Sequence, residues 1–371
     1  MGGFIMRIGI LTSSRADYGI YLPLLNKMKL DTFFEFEIIA FGTHLSKYHG
    51  FTINQIYKEN YSKVHAISNL ISNDDEQSIA TSYGLTTLKF ADFWANNSYD
   101  LVFCLGDRFE MSAAVQAGIP FGVKFAHIHG GETTLGAIDN IYRHQISLAS
   151  QIHFTASTIY ADKIVSLIED PNNVYAVGAL SLDEMSQFKP IEKSIFYEKF
   201  SIPNEDFALL TFHPETVAVN ENVYFANEMK KALIFLQKNI FLVITMPNAD
   251  TLGSVYRQEL EALKQEYPNR VLLIENFGKV NYFSAMYYAK FLIGNTSSGI
   301  IEAASFGKYV VNVGNRQKGR AQSKNILDAT FNSNDIILKS NEAIKLGEFK
   351  ESNIYFKEGA ANTIINIIKK L

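Results

Sequence analysis

Three carboxylates follow short apolar runs in the first half of the chain, at spacings that suit proton transfer. The run LVFCL leads into Gly106-Asp107-Arg108-Phe109-Glu110. The next run, VKFAHI, leads into His129-Gly130-Gly131-Glu132 and then Asp139. Asp107, Glu132 and Asp139 can converge as a cluster whose like charges raise at least one pKa, which general acid–base work requires. The alternative is solvated loop charge. Asp107 beside Arg108 reads equally as a lowered-pKa acid or as a satisfied ion pair. Gly130 and Gly131 let the backbone approach a neighbour closely. His127 and His129 are expected on opposite sides of a strand, so they do not share a metal, and no metal is expected. Arg143 and His144 come shortly after Asp139.

Anion-binding residues recur after other runs. RIGIL is followed by Thr12-Ser13-Ser14-Arg15-Ala16-Asp17. This is not GxGxxG, so a nicotinamide dinucleotide site is not supported. Hydroxyls and an arginine at a helix N-terminus suit an anion, although the same residues make an ordinary Ser14 N-cap with Arg15 paired to Asp17. In the second half, FALLTF leads to His213-Pro214-Glu215-Thr216. KFLI leads to Gly294-Asn295-Thr296-Ser297-Ser298-Gly299, with Glu302 following. Two serines capping a helix, with Gly299 removing side-chain bulk, form a diphosphate cradle, and Glu302 can accept from a ribose diol. A plain capping-box helix start is the alternative. Arg316, Lys318 and Arg320 place three cations in one loop, suited to phosphate and equally to solvation.

These turns need a scaffold, and composition bounds it. A length of 371 residues argues for two domains, and 47% apolar with 19% charged residues excludes global disorder. Lys plus Arg number 34 against 38 Asp plus Glu, a net charge of -4 that offers no footprint for nucleic acid or an anionic membrane. The one cysteine, Cys104, excludes an intramolecular disulfide. No apolar run reaches the roughly 18 residues that span a bilayer. The opening MGGFIMRIGIL is too short before its first strand for a secretory signal, and Met6 is the expected natural start. A cytoplasmic protein is expected.

Short apolar runs alternate with segments of helical period. They are RIGILT (7–12), FEIIAFG (36–42), LVFCLG (101–106), VKFAHIHG (123–130), QIHFTAS (151–157) and VYAVG (174–178). A second series is FALLTFH (207–213), FLVITMP (241–247), VLLIENF (271–277), KFLIGN (290–295), YVVNVG (309–314) and DIILKS (335–340). Strands apolar on both faces require a parallel sheet covered by helices. Two such series predict two doubly wound α/β domains in tandem, divided near the polar, Pro-interrupted stretch 180–206. AANTIINIIKKL reads as an amphipathic terminal helix. Ligands of such sheets bind at strand carboxyl ends. An anionic nucleotide held by the second half is therefore expected to face the acid–base residues of the first across an interdomain cleft.

The combination SSRADYG (13–19), GDRFE (106–110), HIHGGE (127–132), RH (143–144), FHPET (212–216), GNTSSGIIEA (294–303) and GNRQKGR (314–320) resembles the hydrolysing UDP-N-acetylglucosamine 2-epimerases of bacterial sialic-acid biosynthesis. The resemblance implies a GT-B-type fold of two Rossmann-like domains, residues 1–180 and 181–354, with a C-terminal helix at about 355–371 packing back on the first. It implies that UDP-GlcNAc loses UDP across C1–C2 to give 2-acetamidoglucal, and that water then adds to release N-acetylmannosamine. No cofactor and no metal are implied, and a homodimer or homotetramer is. By position, Asp107, Glu132 and Asp139 match catalytic carboxylates, and His213 a catalytic histidine near the diphosphate. Arg15, Ser297, Ser298 and Glu302 match uridine-diphosphate contacts. Ser14, Asp17, Arg143, His144, Asn295, Gly299 and Arg320 complete the expected substrate site. The same branch includes enzymes acting on UDP-2,4-diacetamido-2,4,6-trideoxy-glucose. Its non-hydrolysing relatives, with a more basic turn than His213-Pro214-Glu215-Thr216, keep UDP attached. A GT-B glycosyltransferase and a UDP-sugar-binding protein without turnover are further alternatives.

Overall fold

In the computed structural model, residues 5–71, 73, 75–247 and 253–371 are described; residues 1–4, ahead of the expected start, lie outside them. The chain forms two compact units. The first runs to Glu132 and adds Asp139–Ser186 and Tyr355–Leu371; the second comprises Thr133–Ile138 and Gln187–Ile354. The first unit thus extends past the expected 180 to Ser186, and the second takes a short segment out of the first half.

The first unit holds β1 (Met6–Thr12), β2 (Phe34–Phe41), β3 (Val64–Ile67), β4 (Leu101–Leu105), β5 (Phe125–Ile128), β6 (Ile152–Thr155) and β7 (Val174–Ala176). They form one sheet in the order β3-β2-β1-β4-β5-β6-β7, with every pairing parallel. Alternate residues feed opposite faces. Ile8, Ile10, Phe103 and Leu105 enter one buried cluster, while Leu11, Val102 and Cys104 enter another with Phe90 and Trp94. Burial on both faces is why these runs are continuously apolar. Cys104 packs there, and burial pushes its thiol up to about 12, so it is unreactive.

The terminal helix Ala360–Ile368 buries Ala361, Ile364, Ile365 and Ile368, a helical stripe that joins the cluster containing Leu24, Leu25 and Met28 of the helix Arg15–Lys29.

The second unit holds β8 (Phe207–Thr211), β9 (Phe241–Thr245), β10 (Val271–Ile274), β11 (Leu292–Gly294), β12 (Val310–Val313) and β13 (Ile326–Ala329) in the all-parallel order β10-β9-β8-β11-β12-β13. Both sheets therefore reverse their strand order beside the first strand, β1 next to β4 and β8 next to β11, the crevice where doubly wound sheets take ligands.

Three elements depart from the run pattern. DIILKS is not a strand but part of the helix Ser333–Leu346: Asn332 caps it by accepting from the N–H groups of Asn334 and Asp335, and Ile336, Ser340 and Ala343 bury one face. The last strand is instead β13, an edge strand that is partly exposed and carries Asp328. β3 is likewise a half-buried edge strand that needs no apolar run. Among the described residues no helix is long and apolar enough to cross a membrane.

Candidate active site

In the first unit the polar turns sit where the strand order reverses. Behind β1, Ser14 caps the helix Arg15–Lys29, and Asp17 closes a capping box with it. The Asp17 carboxylate also accepts from Thr12 Oγ1 at 2.7 Å and from the Ser13 and Ser14 N–H groups at 2.9 and 3.0 Å. Asp17 was expected in the substrate site or, as the alternative, paired with Arg15. Its oxygens are instead taken up by the turn, so it shapes the loop that carries Arg15. His44 supports that loop from below, with Nε2 2.9 Å from Thr12 Oγ1, and burial pushes its pKa down.

Behind β4, Arg108 forks onto the fully buried Glu110, Nε and Nη2 lying 3.1–3.2 Å from its oxygens; burial pushes the Glu110 carboxyl up. Asp107 is thus not paired with its neighbour Arg108. Its carboxylate accepts from Nη2 of Arg143, a residue 2% exposed. Nη1 of Arg143 donates to the main-chain carbonyl of Glu132 at 2.9 Å. One buried guanidinium therefore fastens the turn after β4 to the turn after β5. Arg143 and His144 lie on the helix Asp139–Ala149, which Asp139 opens, so Arg143 follows Asp139 by four residues on the same face. Arg143 was expected near sugar or phosphate; buried in this network, it acts as the tie between carboxylate turns. Burial pushes down the pKa of His144, which is half-buried.

The two histidines of HIHGGE have separate tasks, for a reason other than the one expected. A two-residue spacing inside a regular strand puts side chains on the same face. β5, however, stops at Ile128, and His129 turns to a positive φ of 65°. His127 Nε2–H donates to the Gly106 carbonyl at 2.8 Å, so its Nδ1, 2.9 Å from Ser147 Oγ, is the acceptor. His129 Nδ1 lies 2.7 Å from Glu132 Oε1. What Gly130 and Gly131 approach is protein: a Cβ on Gly130 would lie 2.9 Å from His127 Nδ1, and one on Gly131 would run into the Tyr160 carbonyl.

Burial pushes the imidazole of His127 down to about 3 and that of His153, beside it on β6, to about 4, from an ordinary 6.5. Between pH 6.5 and about 4 the unfolded chain binds a proton at each ring that the folded chain does not. Stability therefore falls as pH falls, with a slope approaching about 2.7 kcal/mol per pH unit, half from each histidine. Glu110 and Glu215, whose carboxyls burial raises, titrate in the opposite sense and reduce the slope. Urea unfolding at roughly pH 7, 6 and 5 should show a falling midpoint, and His153→Phe should reduce the slope by about 1.4 kcal/mol per pH unit. Equal slopes in the two proteins would show that His153 is protonated in the fold.

In the second unit, β11 delivers Gly294 at a φ of 141°, where a Cβ would collide with the Thr211 carbonyl of β8; no other residue fits. Asn295, fully buried, spends its amide on the main chain of His213: Oδ1 accepts from its N–H and Nδ2 donates to its carbonyl, each at 2.8 Å. Asn295 was expected to touch the nucleotide; it locks the turn that presents His213. Thr296, not the serines, caps the short helix Ser297–Ile301, accepting from the Ser298 N–H at 2.9 Å. Ser297 and Ser298 are thereby its first-turn residues. Gly299 is buried, with the place of its missing Cβ 3.1 Å from Val310 Cγ1, so the absent side chain lets the helix lie close on β12. Glu302 follows this helix and is 7% exposed.

The cations of the 314–320 loop sit at different depths: Arg320 is buried, Arg316 half-buried and Lys318 exposed. The loop is fastened from beneath, since Glu215 accepts from the Asn315 N–H and Gln317 Nε2 donates to the Asn295 carbonyl at 2.8 Å. It is not a freely solvated loop. Leu135 N–H donates to the Lys318 carbonyl at 3.0 Å, which is how the segment Thr133–Ile138 joins this unit.

No role at the site was expected for His129, Glu215 or Tyr282. Burial pushes the Tyr282 hydroxyl up to about 12, and the residue lines one small cavity with its partners Thr211 and Thr296 and with Gly299. Tyr282 lies on the helix Lys279–Tyr288, far along the chain from those partners, and no local pattern marks it.

The first unit thus offers carboxylates organised around a buried cation, and the second offers N–H groups, hydroxyls, a fixed histidine and a buried arginine suited to a diphosphate. The family model described as UDP-N-acetylglucosamine 2-epimerase matches residues 26–369. The chain belongs to that family. This family member is 32% identical to the UDP-N,N'-diacetylbacillosamine 2-epimerase (hydrolyzing) of Legionella pneumophila, over 95% of this chain and 92% of the relative. It is 33% identical to the GDP/UDP-N,N'-diacetylbacillosamine 2-epimerase (hydrolyzing) of Campylobacter jejuni, over 93% and 89%. Polysialic acid biosynthesis protein P7 of Escherichia coli is 30% identical, over 98% and 93%. Among solved structures, the Neisseria meningitidis UDP-GlcNAc 2-epimerase bound to UDP-GlcNAc superposes with a TM-score of 0.81 at 15% identity, covering 99% of this chain and 100% of that one. The Methanocaldococcus jannaschii UDP-GlcNAc 2-epimerase does so at 0.82 and 13%, with the same coverage. These structures establish that the epimerase-family chain has their GT-B-like fold.

Proposed function

We propose that the protein is a hydrolysing 2-epimerase of a UDP-linked 2-acetamido sugar, releasing UDP and the free sugar inverted at C2. The observation that carries this reading is the network His129–Glu132–Arg143–Asp107, with Asp139 four residues before Arg143. The C2 proton is weakly acidic and needs a placed base, and Arg143 fixes the Asp107 carboxylate and, through its main-chain carbonyl, the turn that carries Glu132. Asp107 or Asp139 takes the proton. The C–H electron pair becomes the C1=C2 bond, and the C1–O bond to the diphosphate breaks.

In the second unit the departing charge is met by the Ser297 N–H, by the hydroxyls of Ser297 and Ser298, by His213 and by Arg320, with Glu302 at the ribose. Water then gives its hydroxyl to C1 while a proton reaches C2 from the opposite face. Glu132 handles that second proton or orients the acetamido group.

Hydrolysis is favoured over retention of UDP because a proline, not a cation, follows His213. Two relatives named as hydrolyzing share 32% and 33% identity over nine-tenths of the chain. Their names support UDP-N,N'-diacetylbacillosamine as the first substrate to test. UDP-GlcNAc is second, supported by a Neisseria meningitidis UDP-N-acetylglucosamine 2-epimerase at 28% identity over 94% of the chain.

Proton NMR in deuterated water with each sugar nucleotide tests the proposal. Free UDP with deuterium at C2 of a released epimer is expected. A UDP-linked epimer overturns the hydrolytic step, and unchanged spectra with both sugars overturn the reading as a whole.

A further inference from the structure

We propose that His129 is the positioning residue of Glu132: by holding one carboxylate oxygen it sets the orientation of the carboxylate. The inference rests on the catalytic reading of Glu132 above. His129 follows β5 in the left-handed backbone region, at a φ of 65°, which residues other than glycine, asparagine, aspartate and histidine seldom enter. Its own N–H is anchored on the Phe154 carbonyl of β6 at 3.0 Å. A non-glycine residue persists in this conformation where its surroundings over-determine it, and such residues gather at working sites.

What the turn achieves is one contact. His129 and Glu132 are 6% and 2% exposed, and Nδ1 stands 2.7 Å from Glu132 Oε1. An ionised carboxylate can only accept, so Nδ1 is the donor. The other ring nitrogen, Nε2, is buried and has no hydrogen-bond partner among the described residues. His127, two residues earlier, engages both of its nitrogens to hold the Gly106 carbonyl and Ser147. A buried ring with one nitrogen idle is explained by what the other one does, and here that is the Glu132 carboxylate. Arg143 meanwhile fixes the Glu132 carbonyl, so main chain and side chain are held from different directions. The charged and titratable groups of this network are Arg143 with Asp107, His127 with His153, and Lys163 on the helix Thr158–Ile168, which interacts with Arg143.

Asparagine places an amide nitrogen where Nδ1 stands and tolerates the left-handed backbone, whereas leucine offers no donor. His129→Leu should therefore lower kcat roughly 10- to 100-fold with KM changed less than about 3-fold. The limb of the kcat pH profile that reports Glu132 should move to higher pH, because a donor favours the ionised carboxylate. His129→Asn should keep kcat within about 5-fold and leave that limb in place.

Wild-type kcat and pH profile in His129→Leu overturn the positioning role while leaving the catalytic reading of Glu132 intact. Wild-type turnover in Glu132→Gln overturns that reading instead. Should His129→Leu not fold, His129→Asn and His129→Gln carry the test, since their amides differ in reach; equal kcat and equal pH limbs in the two overturn the proposal.

Discussion

Glu132→Gln, and whichever of Asp107→Asn and Asp139→Asn removes the C2 base, should lower kcat by roughly 10²–10⁴-fold, the contribution of a placed acid or base. The exchanges are chosen so that the fold survives them. A glutamine at 132 still offers an oxygen to His129 Nδ1, and an asparagine at 107 still offers one to Arg143. What each loses is the ability to take up and return a proton. The variants are expected to differ in kind as well. The one lacking the C2 base should show no deuterium uptake at C2, while the one lacking the later proton donor should accumulate the glycal after UDP has left. Solvent-exchange NMR and product analysis distinguish these cases, and wild-type rates in all three remove the carboxylates from the mechanism.

Arg143→Leu should lower the unfolding free energy by about 3 kcal/mol. Leucine fills much of the space but leaves Asp107 without its guanidinium and the buried Glu132 carbonyl without a donor. Removing one member of a buried ion pair exposes the desolvation cost of the other. Asp107 keeps 26% of its side chain exposed, which places the effect toward the lower end of the range for such pairs. Arg143→Lys should recover part of the loss, since a single ammonium cannot span a carboxylate and a carbonyl as a planar fork does. Urea midpoints with unchanged m-values would report this directly. A loss below about 0.5 kcal/mol, the level of an ordinary surface substitution, would mean the guanidinium does not hold the two turns together.

The scaffold was legible to the extent that each strand is buried on both faces. LVFCL, FALLT and FLVIT are apolar throughout because helices cover both sides, and they appear as β4, β8 and β9. Of the four edge strands, VYAVG and VLLIENF marked β7 and β10, but β3 and β13 were missed because that pressure is relaxed there. β3 and β13 tolerate His65 and Asp328, whereas DIILKS is apolar through the stripe of a helix. At the candidate site, residue types at strand ends marked Asp107, Glu132, His213 and Ser298, because carboxyl ends of parallel strands are where such sheets present chemistry. Partners were not legible. Arg143 lies 36 residues from Asp107, and Asn295 lies 82 residues from His213.

Composition, periodicity and motif order by themselves determined two doubly wound halves and the turns that carry polar residues, because burial and strand-end placement act on neighbours along the chain. Only the tertiary structure decided what each polar group does. Asp17 and Asn295, equal on sequence to any ligand-binding residue, are consumed by backbone N–H and carbonyl groups. The cation beside Asp107 proved to be Arg143 and not Arg108, and His129 became the partner of Glu132. A hydrogen bond is made by whichever group stands within about 3 Å in the right direction. That distance is set by how strands and helices pack, not by spacing in the chain.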